Sequence, residues 1–563
     1  MPLALRIARF RSRIAALAIV FGLFLFITSA RLSAAGGGDA QRAMVVAENA
    51  LAARAGLDIM RRGGNAVDAA VATSLAVCVT NPVSCGIGGG GFMLIYIAKT
   101  QSFYALDYRE RAPIAASAKM YFRNGKPDED LARTGPLAVA VPGELAGLDA
   151  ALKKFGTMKF SALAAPAIHL ADTGFPATSH LAEEVARVAP KIAGDPGMRA
   201  TFLAAGKPPA AGATITEKPL AATLKSLGDD PIASFYHGPI AARIAAWMKA
   251  NGGIVTAQDL AAYAPVWRTP LHRGYRGYEV YTMPPPSSAG VVLEILGMLE
   301  PGQLSGLGAD SPPYLARLIE MMREGFIDRD RYADPAFEKV PIAELLSQQH
   351  IDKARDRALH RAKPPPVTPA SDHGTTNLLV VDTAGDVVAV TTTINTILGA
   401  KVMIPDLGII LNDEMDDFAV APGVPNAFKL AGAAANEIAP GKRPLSSMSP
   451  TIVMRDGHPA LAVGGSGGPT IITGVLQVTL NVLDFNMPAE AAVAEPRIHE
   501  QASPNIVFVE KAIPQVTRDA LAQMGYTLKV VPVLGAVGAI KIEPGALQGA
   551  ADPRKTGGGV AGM

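Results

Sequence analysis

The stretch SDHGTTNLLVVD, Ser371 to Asp382, decides how the rest of the chain is read. A Pro-rich run, AKPPPVTPA (362–370), leads into it, so the chain arrives from an irregular segment. Two threonines then open a β-branched, apolar run that reads as a strand. An ordinary loop-to-strand junction accounts for most Gly-Thr-Thr triplets. The alternative is a cut between Gly374 and Thr375, which makes Thr375 a new N-terminus.

The residues that follow bear on the choice. TTNLLVVDTAGDVVAVTTTIN (375–395) reads as a β-hairpin with DTAGD as its turn and Gly385 at the position that needs a positive φ. If Asp382 faces Asp386, Thr375 falls opposite Thr393 on the same face. A threonine hydroxyl is a poor nucleophile without a base. A freed α-amine beside Oγ supplies that base without a histidine. Thr393 would hold Oγ in place. Gly374 offers no side chain to obstruct attack on its carbonyl, so Thr375 can open the chain by an N-to-O acyl shift. Cross-strand threonine pairs are also ordinary sheet chemistry, so the hairpin permits this reading without forcing it.

Working outward, 563 residues with 49% hydrophobic and 18% charged content describe a globular protein. A formal net charge of +2, with no basic run interleaved with aromatics, argues against nucleic-acid binding. The N-terminus has the order of a secretory signal: Arg6–Arg13 is positive, Ile14–Ala30 is apolar, and the small residues TSA (28–30) and SAA (33–35) follow. An uncleaved membrane anchor is the alternative, although the apolar run is short of the ~20 residues of a full span. Either way the body is exported, with the periplasm as the expected compartment, and any membrane contact is confined to this segment. GGGDAQ (36–41) reads as a flexible junction without fold. Cys78 and Cys85 read equally as a disulfide or as two buried small side chains. Their spacing, with no histidine nearby, does not suit zinc.

Asn65 reads as the N-cap of a buried helix that ends before Asn81-Pro82, and Gly63-Gly64 stops the helix before it. GIGGGGF (86–92) lacks the Lys-Ser/Thr of a phosphate loop and precedes a strand, so it reads as a tight turn. The region from 145 to 350 is mainly helical. Strands dominate after 375. Together these suggest a layered α/β or α+β body with no internal repeat.

Stretches along the chain then carry a resemblance. GGNAVDAA, GIGGGGFMLIY, DYRERAP, PGELAGL, MPPPSSAG, TTNLLVVD, LNDEMDDF, PGVPN, KRPLSSMSPTIV, GGSGGPTIIT and ADPR occur in order between Ala43 and Arg554. In these the sequence resembles the γ-glutamyltranspeptidases, which are N-terminal nucleophile hydrolases. The resemblance implies a four-layer αββα sandwich. It also implies one precursor cut into a large chain (36–374) and a small chain (375–563) that remain a heterodimer, behind a signal and junction at 1–35.

It implies roles for particular residues as well. Thr375 is the nucleophile, Thr393 its partner, and Gly467 and Gly468 the oxyanion glycines. Arg109, Ser446 and Ser447 take the α-carboxylate of a γ-glutamyl group. Asn395, Glu414 and Asp417 take its α-ammonium. Phe428, in the loop 425–445, stands where an aromatic gate is found. No cofactor or metal is expected, and a calcium loop is rejected for want of alternating ligands. The substrates implied are glutathione and related γ-glutamyl compounds, with water, amino acids or dipeptides as acceptors. Two departures stand out: Asn377 replaces a frequent histidine, and Thr392 replaces a frequent aromatic. The rival readings are a cephalosporin or glutaryl acylase of the same superfamily, and an unprocessed homologue that only binds peptides or amino acids.

Overall fold

The consecutive apolar residues in the hairpin already specify two buried faces, because successive side chains on a strand point to opposite sides. A computed structural model describes residues 36–360, 374–421, 423–430 and 432–563. The expected signal and the whole Pro-rich segment before Gly374 lie outside the described residues. Fourteen strands build two sheets and are numbered here in chain order: β1 (Gly36–Ala40), β2 (Met44–Ala47), β3 (Gly90–Ile97), β4 (Ser102–Tyr108), β5 (Val266–Arg268), β6 (Leu271–Tyr275), β7 (Tyr278–Thr282), β8 (Thr376–Val381), β9 (Val387–Thr393), β10 (Thr451–Arg455), β11 (His458–Ser466), β12 (Ala536–Glu543), β13 (Ala546–Ala551) and β14 (Gly559–Gly562). One sheet has the order β14-β2-β8-β9-β3-β4-β5 and the other β1-β13-β12-β11-β10-β7-β6. Every pairing in both is antiparallel.

Alternate residues of the first sheet enter two different cores. Val45, Ala47, Met93, Ile95, Leu378, Val380, Val388 and Val390 pack with helices α1 (Ala50–Arg61), α2 (Ala66–Thr80) and α3 (Glu144–Phe155). Met44, Val46, Phe92, Leu94, Leu379, Val381, Val387 and Ala389 pack toward the second sheet, in a core shared with α5 (Gly290–Leu299), α6 (Pro312–Arg329) and α7 (Thr470–Leu483). A further helix, α4 (Phe160–Thr173), joins the first core through Leu163, Ala164 and Ala167. The result is the expected layering of helix, sheet, sheet and helix.

The hairpin has the predicted register, with Thr376 opposite Thr392 and Val381 opposite Val387. Its turn closes through Asp382, whose backbone N–H donates to the Asp386 carbonyl at 3.1 Å. Gly385 takes φ +84° there. The Asp382 carboxylate accepts from the Ala66 backbone N–H at 2.9 Å, which ties the turn to the start of α2. That helix begins as expected, at Asn65, in a capping box with Asp68. All fifteen of its residues are buried.

GGGDAQ corrects its reading. Gly36–Ala40 is an edge strand paired with β13 from Gly36↔Ala551 to Ala40↔Leu547. Ladder pairing uses backbone groups alone, so a run without large side chains still pairs. A Cβ at Gly37 would meet the Glu490 carboxyl at 2.9 Å, so this approach favours small residues. Cys78 and Cys85 are free and buried, side chain beside side chain, and burial raises both thiols. This is the second of their two readings. No helix among the described residues is long and apolar enough to cross a membrane.

Candidate active site

β8 and β9 place two hydroxyls at one end of the hairpin. Thr375 Oγ1 and Thr393 Oγ1 lie 3.2 Å apart. Both also donate to the Gly374 carbonyl oxygen, at 2.5 Å and 2.9 Å respectively. Thr393 is held in turn by the Asn395 backbone N–H, which donates to its Oγ1 at 2.8 Å. The bond between Gly374 and Thr375 thus lies under two hydroxyls, with its carbonyl polarised by Thr393. The Gly374 N–H donates to the Asn395 carbonyl at 3.1 Å. A Cβ at 374 would meet the Thr396 carbonyl at 2.6 Å, so glycine is required by the close backbone approach.

A small cleft opens at this point. Arg109, Asn395, Glu414, Asp417, Phe428, Ser446, Ser447 and Gly468 line it together with the two threonines. Arg109 follows β4, and its guanidinium forms close ion pairs with Glu414 and Asp417, with Glu110 at 3.7 Å. Burial opposes the charge on Arg109, but the carboxylates outweigh it and keep it protonated. Burial also raises Glu110 to about 7 and raises Glu414 and Asp417, with Arg109 pulling each back. Asn395 takes φ +74° and donates its Nδ2 to the Asp413 carbonyl at 2.9 Å, which leaves its oxygen to accept.

On the opposite wall, β11 ends at Ser466 and α7 begins at Thr470. Gly467 and Gly468 connect them with φ of +125° and +58°. Neither amide has a protein acceptor among the described residues. Two free N–H groups ahead of a fourteen-residue helix make a ready site for developing negative charge. Phe428 covers Gly468 closely, since a Cβ there would meet the ring at 2.6 Å. The loop that carries Phe428 is tied to the acidic turn: Asn426 Nδ2 donates to Asp417 at 3.3 Å, and the Ala427 N–H to Asp416 at 2.9 Å.

The candidate residues read from the sequence line this cleft or adjoin it, but Lys555, Glu48 and Arg329 were missed. Lys555 Nζ donates to the Thr375 carbonyl at 2.7 Å and to Glu48 Oε2 at 2.8 Å. Glu48 Oε1 accepts from Asn377 at 2.6 Å and from Ser466 at 2.5 Å. Asn377, one of the two departures, therefore donates to the Glu48 carboxylate that, through Lys555, links the Thr375 carbonyl to Ser466 on the strand that delivers the glycines. Thr392, the other, donates to the buried Glu144 at 2.6 Å, whose carboxyl burial raises to about 8. Arg329 donates to Ser447 Oγ at 3.2 Å from behind the cleft wall. Away from the cleft, Glu294, Asp328 and His350 bring possible metal-ligating atoms within 4.8 Å of one another. Glu294 is already met by the Tyr332 hydroxyl at 2.6 Å, and Asp328 by His350 at 2.6 Å, so these groups are satisfied without an ion.

A four-layer αββα body with a threonine leading a central strand is the construction of an N-terminal nucleophile hydrolase. The family model for gamma-glutamyltranspeptidase matches residues 52–562. The glutathione hydrolase proenzyme of Escherichia coli K12 is 40% identical over 527 residues, which span 92% of this chain and 91% of that one. Among solved structures, the cephalosporin acylase of Bacillus halodurans superposes with a TM-score of 0.85 at 29% identity, covering 95% of this chain and 98% of that one. Helicobacter pylori gamma-glutamyltranspeptidase superposes with a TM-score of 0.53 at 36% identity, covering 57% of this chain and 91% of that chain. The chain belongs to the gamma-glutamyltranspeptidase family.

Proposed function

We propose that this protein is a self-processing glutathione hydrolase and γ-glutamyltransferase with Thr375 as its nucleophile. The observation that carries the reading is the Thr375–Thr393 hydroxyl pair at 3.2 Å, facing a cleft that holds Arg109, Glu414, Asp417 and the Ser446-Ser447 pair. Maturation starts when Thr375 Oγ1 attacks the Gly374 carbonyl carbon. The C–N bond breaks as a C–O ester forms, the nitrogen takes the proton, and water hydrolyses the ester. Gly374 then ends the large chain and Thr375 begins the small one. β8 and β9 lie between β2 and β3, which come from the other side of the cut. Strands interleaved in this way support a heterodimer that stays together.

In the mature site the α-amine of Thr375 takes the Oγ1 proton and Oγ1 attacks the γ-carbonyl. The Thr393 hydroxyl, relieved of the Gly374 carbonyl, turns to Thr375 Oγ1. The amides of Gly467 and Gly468 receive the oxyanion. The amine product leaves with the proton, and water or an amino acid or dipeptide amine resolves the ester. Arg109, Ser446 and Ser447 hold the α-carboxylate, while Asn395, Glu414 and Asp417 hold the α-ammonium. Phe428 closes the cleft over the oxyanion glycines. The charged, apolar and small-residue order at the N-terminus supports export to the periplasm.

The test is turnover of a γ-glutamyl anilide and of glutathione by the purified protein, beside glutaryl-7-aminocephalosporanic acid. Faster turnover of the γ-glutamyl compounds is expected, since a glutaryl group has no ammonium for Glu414 and Asp417. The reverse preference would support the acylase reading, which the likeness to the Bacillus halodurans enzyme favours.

A pH dependence follows from the carboxyls around Arg109. They attract the α-ammonium only when ionised, and burial raises Glu110 to about 7. The kcat/KM for a γ-glutamyl anilide should rise as pH increases through about 7. Glu110→Gln should remove or move that inflection. The effect on stability has the opposite sign. A carboxyl raised from 4.5 stabilises the fold fully at low pH, and that contribution is lost as pH rises through about 7. Thermal melts of wild type and Glu110→Gln across that window check it.

A further inference from the structure

Among the described residues five arginines are buried: Arg109, Arg323, Arg329, Arg443 and Arg497. Four of them have a carboxylate within 4.0 Å: Arg109 has Glu414, Arg323 has Glu500, Arg443 has Asp107 and Arg497 has Asp552. Arg329, the last residue of α6, has none among the described residues. Its Nε donates to Ser288 Oγ at 3.0 Å, and a terminal nitrogen donates to Ser447 Oγ at 3.2 Å. Burial pulls it down to about 10, and Asp330 and Asp417 act on it only from a distance. A buried cation with hydroxyls in place of a counter-ion is costly to maintain. An anion arriving nearby would offset that cost.

The geometry shows where such an anion belongs. Ser447 lines the cleft with Thr375, and Arg329 stands behind it. A hydroxyl that accepts from a guanidinium keeps its own proton to donate. The Ser447 proton has no acceptor among the described residues, so it is available to the cleft. Ser288 secures the arrangement by donating its hydroxyl to the Ser446 carbonyl at 2.6 Å. The charge balance agrees. Arg109 already meets Glu414 and Asp417, with Glu110 beside it, so its guanidinium is already engaged by carboxyls. A substrate carboxylate entering this cleft needs a second cation.

We infer that Arg329 is a specificity-determining positioning residue that acts through Ser447 as the counter-charge for the carboxylate at the head of the acyl donor. The inference rests on the γ-glutamyl reading of the site. Donors with a carboxylate beside the ammonium are its class. Donors with the ammonium alone gain nothing from Arg329.

The experiment compares γ-glutamyl anilide with 4-aminobutyryl anilide, which keeps the chain and the amine but lacks the carboxylate. Full-length processed wild type, Arg329→Gln and Arg329→Lys are assayed, with both chains verified by intact mass. Gln keeps a hydrogen-bond donor and loses the charge, whereas Lys keeps the charge and loses the fork. The expected result for Arg329→Gln is a fall of about tenfold in the preference for the γ-glutamyl donor, through KM rather than kcat. Arg329→Lys should recover part of it. Equal losses on both donors in either variant, or an unchanged preference in Arg329→Gln, would overturn the inference. Should Arg329→Gln remain uncut, the Lys variant alone decides by the same criterion. A wild type that does not prefer the γ-glutamyl donor overturns the functional reading itself, and the inference with it.

Discussion

Thr375→Ala should leave the chain in one piece and without activity. The intact-mass spectrum of the wild type should show two chains, the smaller starting at Thr375. The variant should show one chain that still contains the bond after Gly374. Two losses should coincide in it, because the hydroxyl proposed to open the chain is also the one proposed to take the acyl group. Turnover of a γ-glutamyl anilide should fall at least about 10⁴-fold, the scale on which removal of a nucleophile is felt in other acyl-transfer enzymes. Thr375→Ser separates the two roles. It retains a hydroxyl and should still be cut, more slowly, because the β-methyl that restricts χ1 is gone. A wild type that stays uncut would leave the amine of Thr375 locked in a peptide bond and remove the base from the mechanism. The fold would then carry a binding protein.

This prediction was legible in the sequence because it depends on local chemistry. Once DTAGD was read as the turn, strand pairing left one register, and that register put Thr375 across from Thr393. The structure reproduces it from Val381↔Val387 to Thr376↔Thr392. The rest of the cleft was legible only through motifs. Nothing in DYRERAP or LNDEMDDF by itself says that Arg109 meets Glu414, 305 residues away. Lys555, Glu48 and Arg329 escaped because their significance is wholly tertiary. Lys555 follows the recognisable ADPR stretch, but its partner Glu48 is 507 residues distant. Glu48 itself reads as one polar residue between a strand and a helix. The misreading of GGGDAQ has the opposite cause. Its side chains carry no strand signal, and its partner β13 supplies the pairing.

Lys555→Met should leave a properly cut enzyme that turns over about 10²-fold more slowly, the effect expected when a reacting group is displaced by about 1 Å. Lys555 Nζ holds the carbonyl of the nucleophile residue at 2.7 Å. Through Glu48 the same ammonium is joined to Asn377 on β8 and to Ser466 at the end of β11. One carboxylate thus sets the distance between the strand that carries Oγ1 and the turn that carries the Gly467 and Gly468 amides. Removing the ammonium frees the Thr375 carbonyl and leaves Glu48 buried with only neutral donors. Loss of one partner from a buried pair typically costs about 3–5 kcal/mol. The melting temperature should therefore fall along with kcat, and the fall alone would not separate clamp from scaffold. The double variant Lys555→Met with Glu48→Gln separates them. It removes both charges, so stability should largely return, while kcat should stay low because nothing grips the Thr375 carbonyl. Recovery of kcat together with stability would mean that the network serves folding alone, and that Thr375 is positioned by the hairpin and Thr393 without it.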